Sequence, residues 1–351
     1  MTDLRSLLPE ELAAALSSLR LPPYRVRQIF DWLQRVGVPN AAAMTNLPKG
    51  LRAHLDGQFL ITSCEPLRRQ ESADGTRKYL FRLHDGNAVE TVAMRYEHGH
   101  SVCVSTQVGC RMGCTFCASG LNGCARDLLP GEMLAQIQAA QDDLGVTVSH
   151  VVLMGMGEPL DNYDSTLRFL RLLSHPEGMH VSQRKISLST CGLVPQIDRL
   201  AGERLGLTLS VSLHAPNDEL RSRLMPVNRR WPLDELLAAC RRYIRATGRR
   251  VSFEYALFAG VNDSEACARE LAQKLKGMLC HVNLIPANAL PGGALRRSGN
   301  ETIRAFQGIL EKSGVAVTVR RALGREIEAA CGQLRRQEAG SRSEGTDIPE
   351  S

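Results

Sequence analysis

From Val102 onward the chain changes hydrophobic period repeatedly, and this alternation narrows the possible folds more than any other feature. VCVSTQ (102–107) alternates as a strand does, and a helical stretch follows over 130–144 in which Met133, Leu134, Ile137 and Leu144 share a face. HVVLM (150–154) is followed by a helix near 164–174, and KISLST (185–190), LTLSVSL (207–213), VSFEYALF (251–258) and HVNLIP (281–286) are each followed by a helical segment such as PLDELLAACRRYIRAT. A last strand, VAVTVR, ends at Arg320. Strand-then-helix units in series predict an α/β fold with a parallel sheet and right-handed crossovers. Six units are two short of a closed eightfold barrel, so the expected architecture is an open partial (β/α)6 barrel.

The segments around this core are of a different kind. The first sixty residues read as short helices, LPEELAAALSSL, YRVRQIFDWLQR and a stretch through AAAMTNLPKGLRAHL, broken at Pro22-Pro23 and Pro48. RKYLFRLHDGNAVETVAM alternates on both sides of Asp85-Gly86, a strong hairpin signal. The organisation expected is a helical accessory domain over 1–75, a barrel domain with an N-terminal hairpin over 76–336, and a polar, disordered tail over 337–351. That tail carries a net charge of −3, leaving residues 1–336 at +9, which suits an anionic partner. No apolar run approaches the roughly 18 residues of a membrane span, and the N-terminus lacks a secretory pattern. A cytoplasmic protein with no membrane partner is expected, and its 11 cysteines then read as thiols, ligands or reagents in preference to a disulfide framework.

The spacing of three cysteines carries the chemistry. Gly109-Cys110-Arg111-Met112-Gly113-Cys114-Thr115-Phe116-Cys117 places three thiols at C-x-x-x-C-x-x-C just after the first barrel strand. Structural zinc favours four ligands, often from paired C-x-x-C knuckles, and Cys124 belongs to no second knuckle. Three thiolates suit an iron-sulfur cubane whose fourth iron stays open to a small molecule. Spacing alone leaves both metals open.

The loop GCRMGCTFC resembles the cluster loop of radical S-adenosylmethionine (SAM) enzymes. MGMGEPLDN (154–162), LSTCGLVP (188–195), SLHAPND (212–218), LMPVN (224–228), VNLIPAN (282–288) and AACGQL (329–334) follow it in the order found in the RlmN family of RNA adenine methyltransferases. The resemblance spans about residues 76–336 and implies a radical SAM partial barrel holding a [4Fe-4S] cluster on Cys110, Cys114 and Cys117, with two SAM molecules used per turnover. It assigns cofactor contacts to Gly157, Glu158, Ser189, Ser212, Leu213, His214 and Asn288. Each lies where a strand ends or just after it, the end at which βα folds carry their chemistry.

The resemblance also implies a reaction. Carbon 2 of adenine has no nucleophilic lone pair, so polar methyl transfer fails there and a radical route is needed. Cys331 in AACGQL would take a methyl group from one SAM. A 5′-deoxyadenosyl radical from a second SAM would activate that methyl group for addition to the base. Glu90 would accept the ring proton, and Cys103 would release the product through a transient disulfide with Cys331. Taken singly, Cys103 reads as a buried strand cysteine and Glu90 as the solvated face of a hairpin.

The partners implied are 23S rRNA, tRNA and an electron donor such as flavodoxin or ferredoxin, with the enzyme a monomer. Arg68, Arg69, Arg77, Lys78 and Arg82 by the hairpin, with Tyr24, Arg25, Arg27 and Trp32 on the helices, form the candidate RNA surface. Two alternatives stand beside this reading. One is the related Cfr type, which methylates carbon 8; RRALGREIE ahead of AACGQL departs from the RKTRGDDID common in RlmN-like chains. The other is a non-catalytic RNA-binding protein clipped by a structural metal.

Overall fold

The computed structural model describes residues 1–97, 99–287, 294–320, 323–327 and 329. Twelve strands are present among them. Ten form one sheet in the order β1 (Glu65–Glu71), β2 (Arg77–Arg82), β3 (Ala88–Tyr96), β4 (Gly99–Cys103), β7 (Val148–Leu153), β8 (Ile186–Thr190), β9 (Thr208–Ser212), β10 (Val251–Leu257), β11 (Cys280–Pro286) and β12 (Val317–Val319). β5 (Gln107–Gly109) and β6 (Cys124–Asp127) pair separately as a small antiparallel flap.

The six expected strand-helix units are present. β4, β7, β8, β9, β10 and β11 run parallel, and helices follow each in turn: α4 (Pro130–Leu144), α5 (Tyr163–Leu173), α6 (Val194–Glu203), α7 and α8 (Asp218–Leu224, Leu233–Thr247), α9 (Glu265–Leu275) and α10 (Asn300–Lys312). The order along the sheet follows the order along the chain, so the helices cover one face and the sheet stays open. Strand texts such as ISLST and TLSVS show why the other face is uncovered. Their apolar residues, Ile186, Leu188, Leu209 and Val211, are fully buried against the helices, while Ser187, Ser189 and Ser212 alternate toward the half-exposed concave side.

At the other end the sheet is antiparallel. β2 and β3 form the expected hairpin around Gly86, and β3 pairs with β4. β1, which the sequence reading missed, is an exposed edge strand of composition EPLRRQE, whose charge and proline hide it from a hydrophobic-period search. The strand expected over 102–107 is shorter: β4 stops at Cys103, and Gln107 turns into the flap.

The N-terminal region carries helices α1 (Pro9–Ala15), α2 (Pro23–Asp31) and α3 (Lys49–Gln58), and its opening turn Leu4–Ser6 packs on α4 and α5 beside a buried polar knot. Asp3 accepts from the Thr62 amide (3.0 Å) and from the Ser6 hydroxyl, and Ser6 Oγ accepts from the Gly131 amide at the start of α4 (2.9 Å). The knot fixes the helical region against the barrel domain.

Candidate active site

The concave face ends in a cavity at the C-terminal edge of the parallel strands. It measures about 970 Å³ counting the space at its open mouth. Cys110, Cys114 and Cys117 line one side of it, and Gly157, Glu158, Ser189, Ser212 and His214 line the others. Residues at or just beyond the ends of four strands, β5, β7, β8 and β9, therefore converge on one site.

The cysteine loop is held in place from both flanks. Gly109 has φ of 86°, and a Cβ there would lie 1.9 Å from the Gly123 carbonyl oxygen, so only glycine lets the flap close behind Cys110. On the other side the Thr115 amide donates to the Leu224 carbonyl (3.0 Å), tying the loop to LMPVN. Phe116 stacks edge-on against His214 (4.8 Å) and tilts against Phe258 (5.4 Å), which accounts for an aromatic residue just before the third cysteine. Burial pushes the Cys110 thiol up to about 12 and raises Cys114 as well, so these groups stay protonated until a metal displaces the proton. No three His, Cys, Asp or Glu side chains among the described residues are drawn together as the ligands of a single metal ion. Three thiols on one side of a larger cavity suit a polynuclear group with room for a small-molecule ligand beside it.

The MGMGEP loop meets the strand ends through its backbone. Gly157 has φ of 101° and sits so close to Gln107 that a Cβ would be 2.7 Å from its amide nitrogen. Glu158 is buried, and its carboxylate accepts from the Cys191 amide (2.7 Å) and the Leu160 amide (3.0 Å). Burial raises its proton affinity while those amides oppose the shift. Its carboxylate thus locks two loops together.

His214 is neutral. Burial, aided by the nearby Arg221 charge, lowers its pKa to about 3. Its Nδ1 accepts from the Ala256 amide (2.9 Å), so the ring proton resides on Nε2. Its backbone sits at φ of 56°, a strained conformation for a side chain, pinned by Asn262 Nδ2 donating to its carbonyl (2.7 Å). Leu213, between Ser212 and His214, is buried and does not line the cavity; its carbonyl accepts from Arg221 Nε (3.2 Å). Asn288 and Cys331 lie outside the described residues.

The profile of the radical SAM superfamily matches residues 104–271, and that of the ribosomal RNA large subunit methyltransferase N-terminal domain matches residues 2–61. A probable dual-specificity RNA methyltransferase RlmN from Lachnospira eligens is 50% identical over 336 residues, covering 95% of this chain and 96% of that protein. A second from Desulforudis audaxviator is 55% identical over 308 residues, covering 88% and 97%. The chain belongs to the RlmN family of radical SAM RNA methyltransferases. The crystal structure of a radical SAM methyltransferase from Sphaerobacter thermophilus superposes with a TM-score of 0.92 at 51% identity, covering 95% of this chain and 99% of that one. Superfamily membership brings a [4Fe-4S] cluster and SAM as cofactors, and the three-thiol cavity is where this RlmN-family chain has the residues to hold them.

The remaining residues of interest in this RlmN-family protein lie along the sheet, away from the cavity. Glu90 on β3 is buried, with its Oε1 3.4 Å from Lys78 Nζ on β2. It is therefore not a solvated hairpin face. Cys103 ends β4, pairs with Val92 and Val152, and is buried. Lys78 and Cys103 both lie opposite Val92, and Glu90 is two residues from it, so the three side chains share a face. The register runs on through Val152 and Ser187 to Ser189, Ser212 and Glu254, so the same face continues into the cavity. Ser105 is the hinge between the two regions: its hydroxyl donates to the Glu90 carbonyl (2.6 Å) and accepts from the Met156 amide (2.9 Å).

Two site residues escaped the sequence reading. Arg221 is fully buried and donates to the Cys191, Ser212 and Leu213 carbonyls, joining the ends of β8 and β9. Glu254, buried on β10, lines the cavity, with Asn283 Nδ2 on its Oε2 (2.8 Å). Both sit inside otherwise ordinary helix and strand text, where spacing gives no signal. The expected RNA surface is altered too. Arg69 and Arg77 both pair with Asp143 (2.9 Å each), Arg82 pairs with Glu65, Arg27 with Glu177 (3.4 Å), and Lys78 is turned inward.

Proposed function

We propose that this protein methylates carbon 2 of adenosine in 23S rRNA and in tRNA, using two SAM molecules per turnover. The observation that carries the reading is the single sheet face that runs from Lys78, Glu90 and Cys103 into the three-thiol cavity. When bound, the cluster and SAM supply the methyl group and a carbon radical strong enough to take hydrogen from it. The chain's own residues do the rest.

Cys110, Cys114 and Cys117 are the cluster ligands in this reading. Gly157, Glu158, Ser189, Ser212, Leu213, His214 and Asn288 hold SAM, some through main chain alone. The neutral His214, with its proton on Nε2, presents a donor without adding positive charge beside a sulfonium. Cys331 carries the methyl group and, once its carbon has joined the adenine, tethers RNA to protein. Glu90 takes the ring proton, restoring aromaticity. The Cys103 thiolate then attacks the Cys331 sulfur: the S–S bond forms as the carbon-sulfur bond breaks, the electron pair of that bond passes onto the base, and uptake of one proton completes its methyl group. Burial among Val92 and the sheet interior keeps water from that exchange.

The N-terminal helices, which end at Gln58 ahead of the edge strand β1, are the RNA-facing accessory in this reading. A flavodoxin- or ferredoxin-class carrier supplies electrons to a monomeric, cytoplasmic enzyme. No helix among the described residues is long and apolar enough to cross a membrane. An unpaired RNA segment is the expected substrate form, since the base must leave its stack to reach a cavity. Anaerobic reconstitution with iron and sulfide tests the reading: it predicts a four-iron cluster, 5′-deoxyadenosine released on reduction with SAM, and a methylated Cys331 in the intact protein. Cofactor cleavage without methylation of Cys331 contradicts it.

A further inference from the structure

Of the basic residues around the hairpin, Arg68 and Arg69 are exposed and Arg77 and Arg82 half-buried, but Lys78 is buried. A lysine is almost never buried unless its charge is met. It sits diagonally across the β2–β3 ladder from Glu90, on the face that carries Cys103, with Nζ 3.4 Å from Glu90 Oε1. A carboxylate as deeply buried as Glu90 keeps its charge in such a place only beside a cation or several donors. The Glu90 backbone is itself fixed, its amide on Met156 Sδ (3.4 Å) and its carbonyl on Ser105 Oγ.

We propose that Lys78 is a positioning residue for the release half of the reaction, holding Glu90 ionised and aimed at the hydrogen it removes. The inference rests on the reading of Glu90 as proton acceptor. In the step concerned, the ring C2–H bond breaks, its proton passes to the Glu90 carboxylate, its electron pair returns to the ring, and the unpaired electron left by radical addition leaves to a one-electron acceptor of the iron-sulfur class. Lys78 keeps its own protons throughout and forms no bond. It acts on no earlier step, because methylation of Cys331 needs no base on this face. Its compact ammonium on a flexible stem, tethered to one carboxylate oxygen, suits a group that must move slightly as the charge beside it is neutralised.

The test uses the full-length, cluster-loaded protein with an RNA hairpin, SAM and reductant, read in two ways. Mass spectrometry of the intact protein without RNA reports methylation of Cys331, and denaturing electrophoresis with RNA reports the covalent adduct. Lys78→Met is expected to methylate Cys331 as the unaltered protein does and to accumulate about tenfold more adduct. Lys78→Gln carries the same expectation and retains a polar head for folding. Lys78→Arg keeps the cation and is expected to restore release. In the Lys78→Met/Glu90→Gln double variant the adduct should match that of Glu90→Gln alone, because the two residues act as one unit. Adduct in Glu90→Gln together with normal release in Lys78→Met and Lys78→Gln overturns the role of Lys78 and leaves that of Glu90 standing. Normal release in Glu90→Gln overturns the Glu90 reading itself. Loss of Cys331 methylation in both Lys78 variants overturns the inference in favour of a purely structural lysine.

Discussion

The two ends of the concave face build their chemistry in opposite ways. At the parallel end, most of the groups proposed to meet the cofactors sit on loops beyond the strands, in the cysteine loop, MGMGEP, the turn after β8 and His214, with Ser189 and Ser212 at the strand ends. Their positions are set by close backbone approach, as at Gly157 against Gln107, and by buried hydrogen bonds from Glu158 and Arg221. At the antiparallel end, Lys78, Glu90 and Cys103 sit within strands and project from a ladder whose register fixes them. A large ligand needs a cavity that loops can shape, whereas a base and a thiol that act at single atoms need only be held still. Strand interiors do the second job well and the first badly.

If the two ends are separable machines, each should fail by itself. The largest effect is expected from Cys114→Ala, which removes a proposed cluster ligand: iron and sulfide analysis should show the cluster lost and product should be undetectable, while thermal melting stays near that of the apo protein. A normal cluster in this variant breaks the assignment of the loop. Next comes Cys103→Ala. Its cluster and cofactor cleavage should be unchanged, yet turnover should fall at least about 100-fold with RNA trapped on Cys331; free turnover would dissolve the distinction between the ends.

Arg221→Met sharpens the comparison on the loop side. It strands the Cys191, Ser212 and Leu213 carbonyls that the guanidinium now serves, so denaturant unfolding should show a loss of about 2–5 kcal/mol. Gly157→Ala is milder, about 1–3 kcal/mol, because Gln107 must give way and φ of 101° disfavours a side chain. It should weaken SAM binding and leave the cluster intact, which equilibrium binding of S-adenosylhomocysteine would measure.

The smallest effect concerns pH. His214 titrates near 6.5 when unfolded and at about 3 when folded, because burial disfavours its charge. Below pH 6.5 the unfolded chain takes up a proton that the folded protein does not, so stability falls as pH drops from 6.5 toward 3. Between pH 7 and 5.5 His214 accounts for about 1 kcal/mol of that loss. His214→Gln should flatten the profile by this amount, and an unchanged slope would mean the imidazole is not sequestered.

What could be read from the sequence divides along the same line. The strand-helix order was legible because each buried strand face is apolar at every second residue, and the loop motifs were legible because ligand spacing is local. The roles proposed for Glu90 and Cys103 come from family resemblance only; alternation by itself suggests a solvated glutamate, which the structure instead buries, and a core cysteine, which it does bury. Lys78 was misread as RNA-facing. The register of the Asp85-Gly86 hairpin sets Lys78 diagonally across from Glu90, but which face of that hairpin is buried depends on β4 and the barrel behind it. Arg221 and Glu254 gave no local signal, since their partners are main-chain carbonyls and an asparagine distant in sequence. β1 escaped because an edge strand made of charges has no hydrophobic period.

Nucleoside mass spectrometry tests the central claim most directly. Unmodified rRNA and tRNA are incubated anaerobically with cluster-loaded protein, reductant and SAM, then digested to nucleosides. The account predicts 2-methyladenosine from both RNAs, absent when Cys331→Ala replaces the unaltered protein. Formation of 8-methyladenosine, or 2-methyladenosine that persists without Cys331, would contradict it.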